Sequence, residues 1–256
     1  MGFECYATWI NADNAAEVDD LSARFATMWR AFTRVSPVFI DPWVDEGWWA
    51  KNNFDGDPEV VSGIDIDSVI GFFDRGLHSE FPDNPSSRNP IGRVNTVLAS
   101  ANENFPLEIS VYVGGNRGDK SYIKLSSGEG GAQNLFGRNE ARDTLRAMVS
   151  AWDPIWCRWS GADEHKQQKP RIELTDIAGR ARARTSIEWT VSFGWLTYLN
   201  ATSAAITEVV NWPAETVLEE YGDGVTIQIG DDPDGVTPMM VAEVRKALGW
   251  PYVPQD

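Results

Sequence analysis

Leu218-Glu219-Glu220-Tyr221-Gly222-Asp223-Gly224-Val225-Thr226-Ile227-Gln228-Ile229-Gly230 decides the fold. Two β-prone runs flank an Asp-Gly pair, a strong short-range hairpin signal, so the stretch predicts antiparallel strands joined at Asp223-Gly224. Upstream, Ile187-Glu188-Trp189-Thr190-Val191-Ser192-Phe193 alternates large apolar with smaller or polar side chains, the period of a half-buried strand. It runs on through Gly194-Trp195-Leu196-Thr197-Tyr198-Leu199. Downstream comes an acidic loop, Asp231-Asp232-Pro233-Asp234-Gly235. Thr237 then fits the cap of a helix that starts at Pro238 and stops at Gly249, with Val241, Val244 and Leu248 on one apolar face.

Similar elements recur toward the N-terminus. Phe3 to Ile10 reads as an aromatic strand, and Asn14-Ala15-Ala16-Glu17 has capping-box spacing ahead of a helix to about Arg34. Val18, Leu21, Phe25, Met28 and Phe32 form its apolar stripe. A shorter helix is expected over Ser68 to Arg75, and the Pro-rich residues 82–92 read as a loop. Leu107, Ile109, Val111 and Val113 alternate with polar residues and lead through a turn to Tyr122-Ile123-Lys124-Leu125, a second hairpin. Asn139 to Trp152 is amphipathic, with Leu145, Met148, Val149 and Trp152 inward. The expected class is α+β, a mostly antiparallel sheet with amphipathic helices packed on it. Strand, helix and Asp-Pro-aromatic occur twice, which raises two related lobes, about 1–115 and 116–256, within one continuous domain of residues 1–256.

Over residues 187–249 the ordered strand, hairpin, acidic loop and capped helix resemble the C-terminal half of the immunity protein 52 family, with a weaker likeness over residues 3–45. Members of that family are bacterial antidotes encoded beside polymorphic toxins, often toxins with a restriction-endonuclease-like domain. The resemblance implies an α+β fold, a role in binding and neutralising a cognate toxin, and a toxin protein as partner. It carries over no catalytic residue, because such antidotes act by binding.

Composition narrows the classes. A chain of 256 residues buries about 70–75% of its unfolded surface, enough to fold without staples. Cys5 and Cys157 have no paired spacing and read as buried thiols of a reducing compartment. Met1-Gly2-Phe3-Glu4-Cys5 puts an acid where a signal peptide needs a base, and no apolar run approaches a membrane span; a cytosolic chain is expected. The formal charge of −16 is concentrated at the ends: residues 1–85 carry 16 acids and 5 bases, residues 191–256 carry 10 and 2. Such ends repel phosphate, so direct nucleic-acid binding is not expected.

No constellation supports catalysis or a cofactor. Gly114-Gly115-Asn116-Arg117-Gly118-Asp119-Lys120-Ser121 has Asp before the Lys where a phosphate loop needs Gly, and a strand follows where a helix should. The acidic turns lack a full calcium-loop pattern, and His78 and His165 lie in no nucleophile elbow, so neither a metal nor an active centre is assigned. Two sets of partner-binding residues compete: Trp48 and Trp49 with Asp55, Asp57 and Glu59, or Asp231, Asp232 and Asp234 beside the hairpin. The rival reading, from a different class, is a carbohydrate-binding or glycoside-active protein that uses exposed Trp and paired carboxylates.

Overall fold

The computed structural model describes residues 2–11, 17–40, 42–46, 59–77, 93–102, 106–114, 120–127, 136–161, 174–175, 181–182, 192–204 and 211–250. Its chain is α+β and divides into two compact units, Met1–Cys157 and Arg158–Asp256.

In the first unit, β1 (Phe3–Ile10), β6 (Lys120–Ser127), β5 (Leu107–Val113), β4 (Val94–Ser100), β2 (Trp43–Asp45) and β3 (Val60–Val61) lie side by side in that order, antiparallel throughout. Alternation decides which side is core. Phe3, Cys5 and Ala7 of β1, Ile123 and Leu125 of β6, and Ile109 and Val111 of β5 are buried on one face. Helix α2 (Ile66–Leu77) packs against β4 and α3 (Arg138–Trp152) against β1, while α1 (Val18–Val35) packs on both helices and sets Trp29 edge-on to Trp43 of β2. The aromatic core contains Phe25, Trp29, Phe39 and Trp43, with the Phe39 and Trp43 rings nearly parallel at 5.8 Å. The expected stripe of α1 is buried at Leu21, Phe25, Met28 and Phe32, joined by Trp29; Val18 is only half-buried. Its N-cap is Glu17 with no side-chain cap bond, and Asn14 lies outside the described residues. Asp19 and Asp20 in the first turn instead complement the helix dipole. Helix α2 extends beyond the expected Ser68–Arg75 at both ends. All four side chains expected inward on α3 are buried.

Strand β7 (Trp156–Gly161) begins in this unit, where Ile155 N donates to Thr8 O at 2.8 Å, and ends in the second. The second unit carries β10 (Leu196–Leu199), β12 (Gly224–Ile229) and β11 (Thr216–Tyr221), ordered β7-β10-β12-β11, and a separate ribbon of β8 (Leu174–Thr175) and β9 (Ala181–Arg182). Helix α4 (Ala201–Ala204) is a single turn and α5 is Pro238–Ala247. The upstream strand expected over Ile187–Phe193 is corrected where it can be seen: Ser192 and Phe193 are not in a strand, and β10 starts only at Leu196. Residues 187–191 lie outside the described residues. A physical reason for the break is at Gly194, where a Cβ would fall 2.2 Å from Trp159 O, so the chain passes β7 at a distance only glycine permits.

Both cysteines, Cys5 and Cys157, are buried. Among the described residues no helix is long and apolar enough to cross a membrane.

Candidate functional site

The β11–β12 hairpin is built from its turn outward. Tyr221 pairs with Gly224, so the two turn residues are Gly222 and Asp223, one place earlier than the expected Asp223-Gly224 centre. Gly222 has φ +61 while Asp223 keeps a negative φ, the signs of a type II′ turn, which takes Gly in its first central position. Gly224 is glycine for another reason. A Cβ there would sit 2.1 Å from Leu199 O and 2.8 Å from the Tyr198 ring, so close packing on β10 sets the register. Tyr198 OH donates to Asp223 Oδ1 at 2.9 Å and ties the turn to the same strand.

This hairpin exposes one sign of charge. Glu215, Glu219, Glu220, Asp223, Asp231, Asp232 and Asp234 are all exposed, and no Lys or Arg occurs between Arg184 and Arg245. Val217 and Leu218, 56% and 38% exposed, lie among these acids on β11, the end strand of the order. The acidic loop Asp231-Asp232-Pro233-Asp234-Gly235 follows β12 at once and closes as a 3-10 turn, with Asp232 Oδ1 accepting from Asp234 N at 3.0 Å. Helix α5 then starts as expected: Thr237 Oγ1 accepts from Met240 N at 3.3 Å with Pro238 at the first position. It stops at Gly249, φ +68, with Trp250 N bonded to Arg245 O at 2.8 Å. Val241 and Val244 are buried as expected; Leu248 is half-buried. Arg245, also buried on that helix, lies 6.0 Å from the Phe193 ring and 5.7 Å from Trp250.

The other candidate set does not assemble into a visible site. Trp48, Trp49, Asp55 and Asp57 lie outside the described residues. Glu59 is exposed and bonded to Arg75 at 2.9 Å, where Arg75 also holds buried Asp45 at 2.8 Å. Its carboxylate, just ahead of β3, therefore joins the Arg75–Asp45 link between α2 and β2. Among the described residues no cluster of His, Cys, Asp or Glu is placed to hold a metal ion.

A third feature escaped sequence reasoning. On the face of the first unit's sheet opposite the helices, Tyr112 pairs with Tyr122 and their rings stack at 5.5 Å; the Tyr6 and Tyr122 rings stack at 5.3 Å. Lys120 Nζ lies 5.9 Å from the Tyr6 ring and 5.8 Å from Trp156. Tyr6, Tyr112, Tyr122 and Lys120 line, with Arg93, an open cavity of about 400 Å³. Arg93 Nε, shielded from solvent, meets no hydrogen-bond partner among the described residues. Burial raises the Tyr122 pKa above its ordinary 10.0, and neighbouring Tyr112, Glu108 and Glu4 push the same way, so the phenol stays protonated and able to donate. The period-2 alternation of β1, β5 and β6 was legible, but not that β1 and β6 pair across more than a hundred residues.

Neither a family model nor a curated protein matches the chain. Among solved structures it is similar to the Pseudomonas aeruginosa T6SS protein PA0821, over 96% of this chain and 72% of that one, with a TM-score of 0.51 and 13% identity. At that identity the likeness is one of fold.

Proposed function

We propose that this chain is an immunity protein of the immunity protein 52 type, which binds and neutralises a cognate toxin, a nuclease-type secreted effector, by protein–protein contact without catalysis. One observation carries the reading: the hairpin and loop of residues 215–234 expose carboxylates with no base among them. Such a surface repels nucleic acid and attracts the basic cleft a nuclease needs to hold its substrate. Its field speeds encounter toward 10⁸–10⁹ M⁻¹s⁻¹ at low salt, and apolar Val217 and Leu218 among the acids supply area to desolvate. The strand, hairpin, acidic loop and capped helix of residues 196–249 and a fold neighbour named as a T6SS protein both fit a toxin–antidote setting. The toxin would be met in the cytosol.

Co-expression of the chain with a toxin encoded beside it is the test. Restored growth together with a co-purifying complex is the expected result. A toxin that kills equally well with and without the chain ends the antidote reading for that pair.

The tyrosine-lined cavity favours a second reading, carbohydrate binding, because sugar rings stack on aromatic faces. A saturable change in tyrosine and tryptophan fluorescence on sugar titration, lost in Tyr122→Ala, would support it. A flat titration across neutral and acidic sugars removes it.

A further inference from the structure

The phase of the β11–β12 ladder shows which backbone groups are spent and which are on offer. In a hairpin with a two-residue turn, the pair flanking the turn exchanges hydrogen bonds, and bonded and non-bonded pairs then alternate. Tyr221 with Gly224 is that first pair, so Glu219 with Thr226 and Val217 with Gln228 are bonded too. Gly230 N donates to Glu215 O at 2.8 Å, which continues the same phase. Thr216 N turns the other way, to Pro213 O at 2.9 Å. Leu218 and Glu220 therefore direct their N–H and C=O groups away from β12. On that side the order of strands ends.

Natural sheets blunt such an edge with charged side chains, above all lysine, with proline or with a bulge. Here β11, Thr-Val-Leu-Glu-Glu-Tyr, has neither proline nor bulge, being paired with β12 residue for residue, and its only charges are Glu219 and Glu220, which repel a second acidic edge but not a basic one. Val217 and Glu219 face one side of the sheet, Leu218 and Glu220 the other, and all four are exposed. An edge that is free of bulges, partly apolar and lined by acids on both faces matches an extended segment whose side chains alternate between apolar and basic.

We propose that β11 is the edge on which a partner's extended segment adds as a further strand, bonding Leu218 and Glu220 and placing Lys or Arg beside Glu219 and Glu220. The proposal rests on the antidote reading and gives its mode of contact. Main-chain bonds supply the register, and the charges choose the partner.

The test is residue-resolved amide exchange on the full chain, alone and with a capped octapeptide of alternating Val and Lys. Exchange slows at the Leu218 and Glu220 amides, those of Val217 and Glu219 being already protected by the ladder. An alternating Val and Glu peptide produces no slowing. Leu218→Pro removes one outward donor at a position that edge strands tolerate, and weakens peptide binding by about tenfold. Methylating the peptide's own amide nitrogens has the same effect with the chain untouched, so the result does not hang on that variant's folding. Unchanged exchange at both amides, or equal binding of the methylated peptide, overturns the proposal. If the native chain rescues cells from the toxin and folded Leu218→Pro rescues equally, strand addition is wrong and the antidote reading stands. If the native chain fails to rescue while the peptide still protects both amides, the antidote reading is wrong and the edge stands.

Discussion

Replacing Gly224 by alanine tests whether packing, rather than backbone conformation, makes that position glycine. Its added Cβ would lie 2.1 Å from Leu199 O, and ordinary contact begins near 3.4 Å, so the two must part by about 1.3 Å. Strands sit about 4.8 Å apart, and β12 cannot retreat that far from β10 while Leu199↔Val225 and Tyr198↔Thr226 stay in register. Two ladder bonds at about 1 kcal/mol each, added to about 1–3 kcal/mol of overpacking, give a loss of about 3–5 kcal/mol. Gly222→Ala is the internal control. It meets nothing within 4 Å, so its cost is the positive φ alone, about 1–3 kcal/mol. Urea unfolding followed by tryptophan fluorescence reads both variants, and the slope m reports whether the unfolded reference has changed. The expected order is Gly224→Ala well below Gly222→Ala, which is below the native chain. Equal losses, or the reverse order, would refute the packing argument and restore a turn centred on Asp223-Gly224.

Asp45→Ala removes the buried half of the Arg75 ion pair, at a side-chain exposure of 3% for Asp45 and 22% for Arg75, while Glu59 keeps the exposed half; a loss of about 1–3 kcal/mol in thermal or urea unfolding is expected. Tyr122 is expected to ionise above 10.0 in a phenolate-absorbance titration, and Tyr122→Phe removes that late step. Because its folded pKa is raised, the associated stability is fully present below pH 10.0 and is lost as pH climbs through the folded value; the Phe variant unfolds over that range without this contribution. Thr237→Ala deletes the side-chain acceptor for Met240 N and costs about 1 kcal/mol, measurable as faster amide exchange in the first turn of α5.

What was legible in the chain was local. Thr237, Pro238 and Gly249 bound α5 correctly because cap, first turn and stop depend only on near neighbours. The hairpin was found but centred one residue late. The Asp-Gly rule concerns the turn, whereas contact between Gly224 and Leu199 O, twenty-five residues upstream, decides the register. The tyrosine row was illegible for the same kind of reason: Tyr6, Tyr112 and Tyr122 become neighbours only through strand pairing. Of the two proposed partner sets, Asp231, Asp232 and Asp234 were recognisable as an exposed loop from Pro and Gly alone. Glu59 stands among the partner-binding candidates because nothing in sequence shows that Arg75, sixteen residues on, meets it.

The central claim is that the acidic hairpin recognises a basic partner. Its most direct measurement is the affinity for the cognate toxin at low and high salt, for the native chain and for Glu219→Lys with Glu220→Lys. The account predicts tight binding that weakens steeply with salt, and a doubly substituted chain that stays folded but neither binds nor protects cells. Salt-insensitive binding retained in the doubly substituted chain would contradict it.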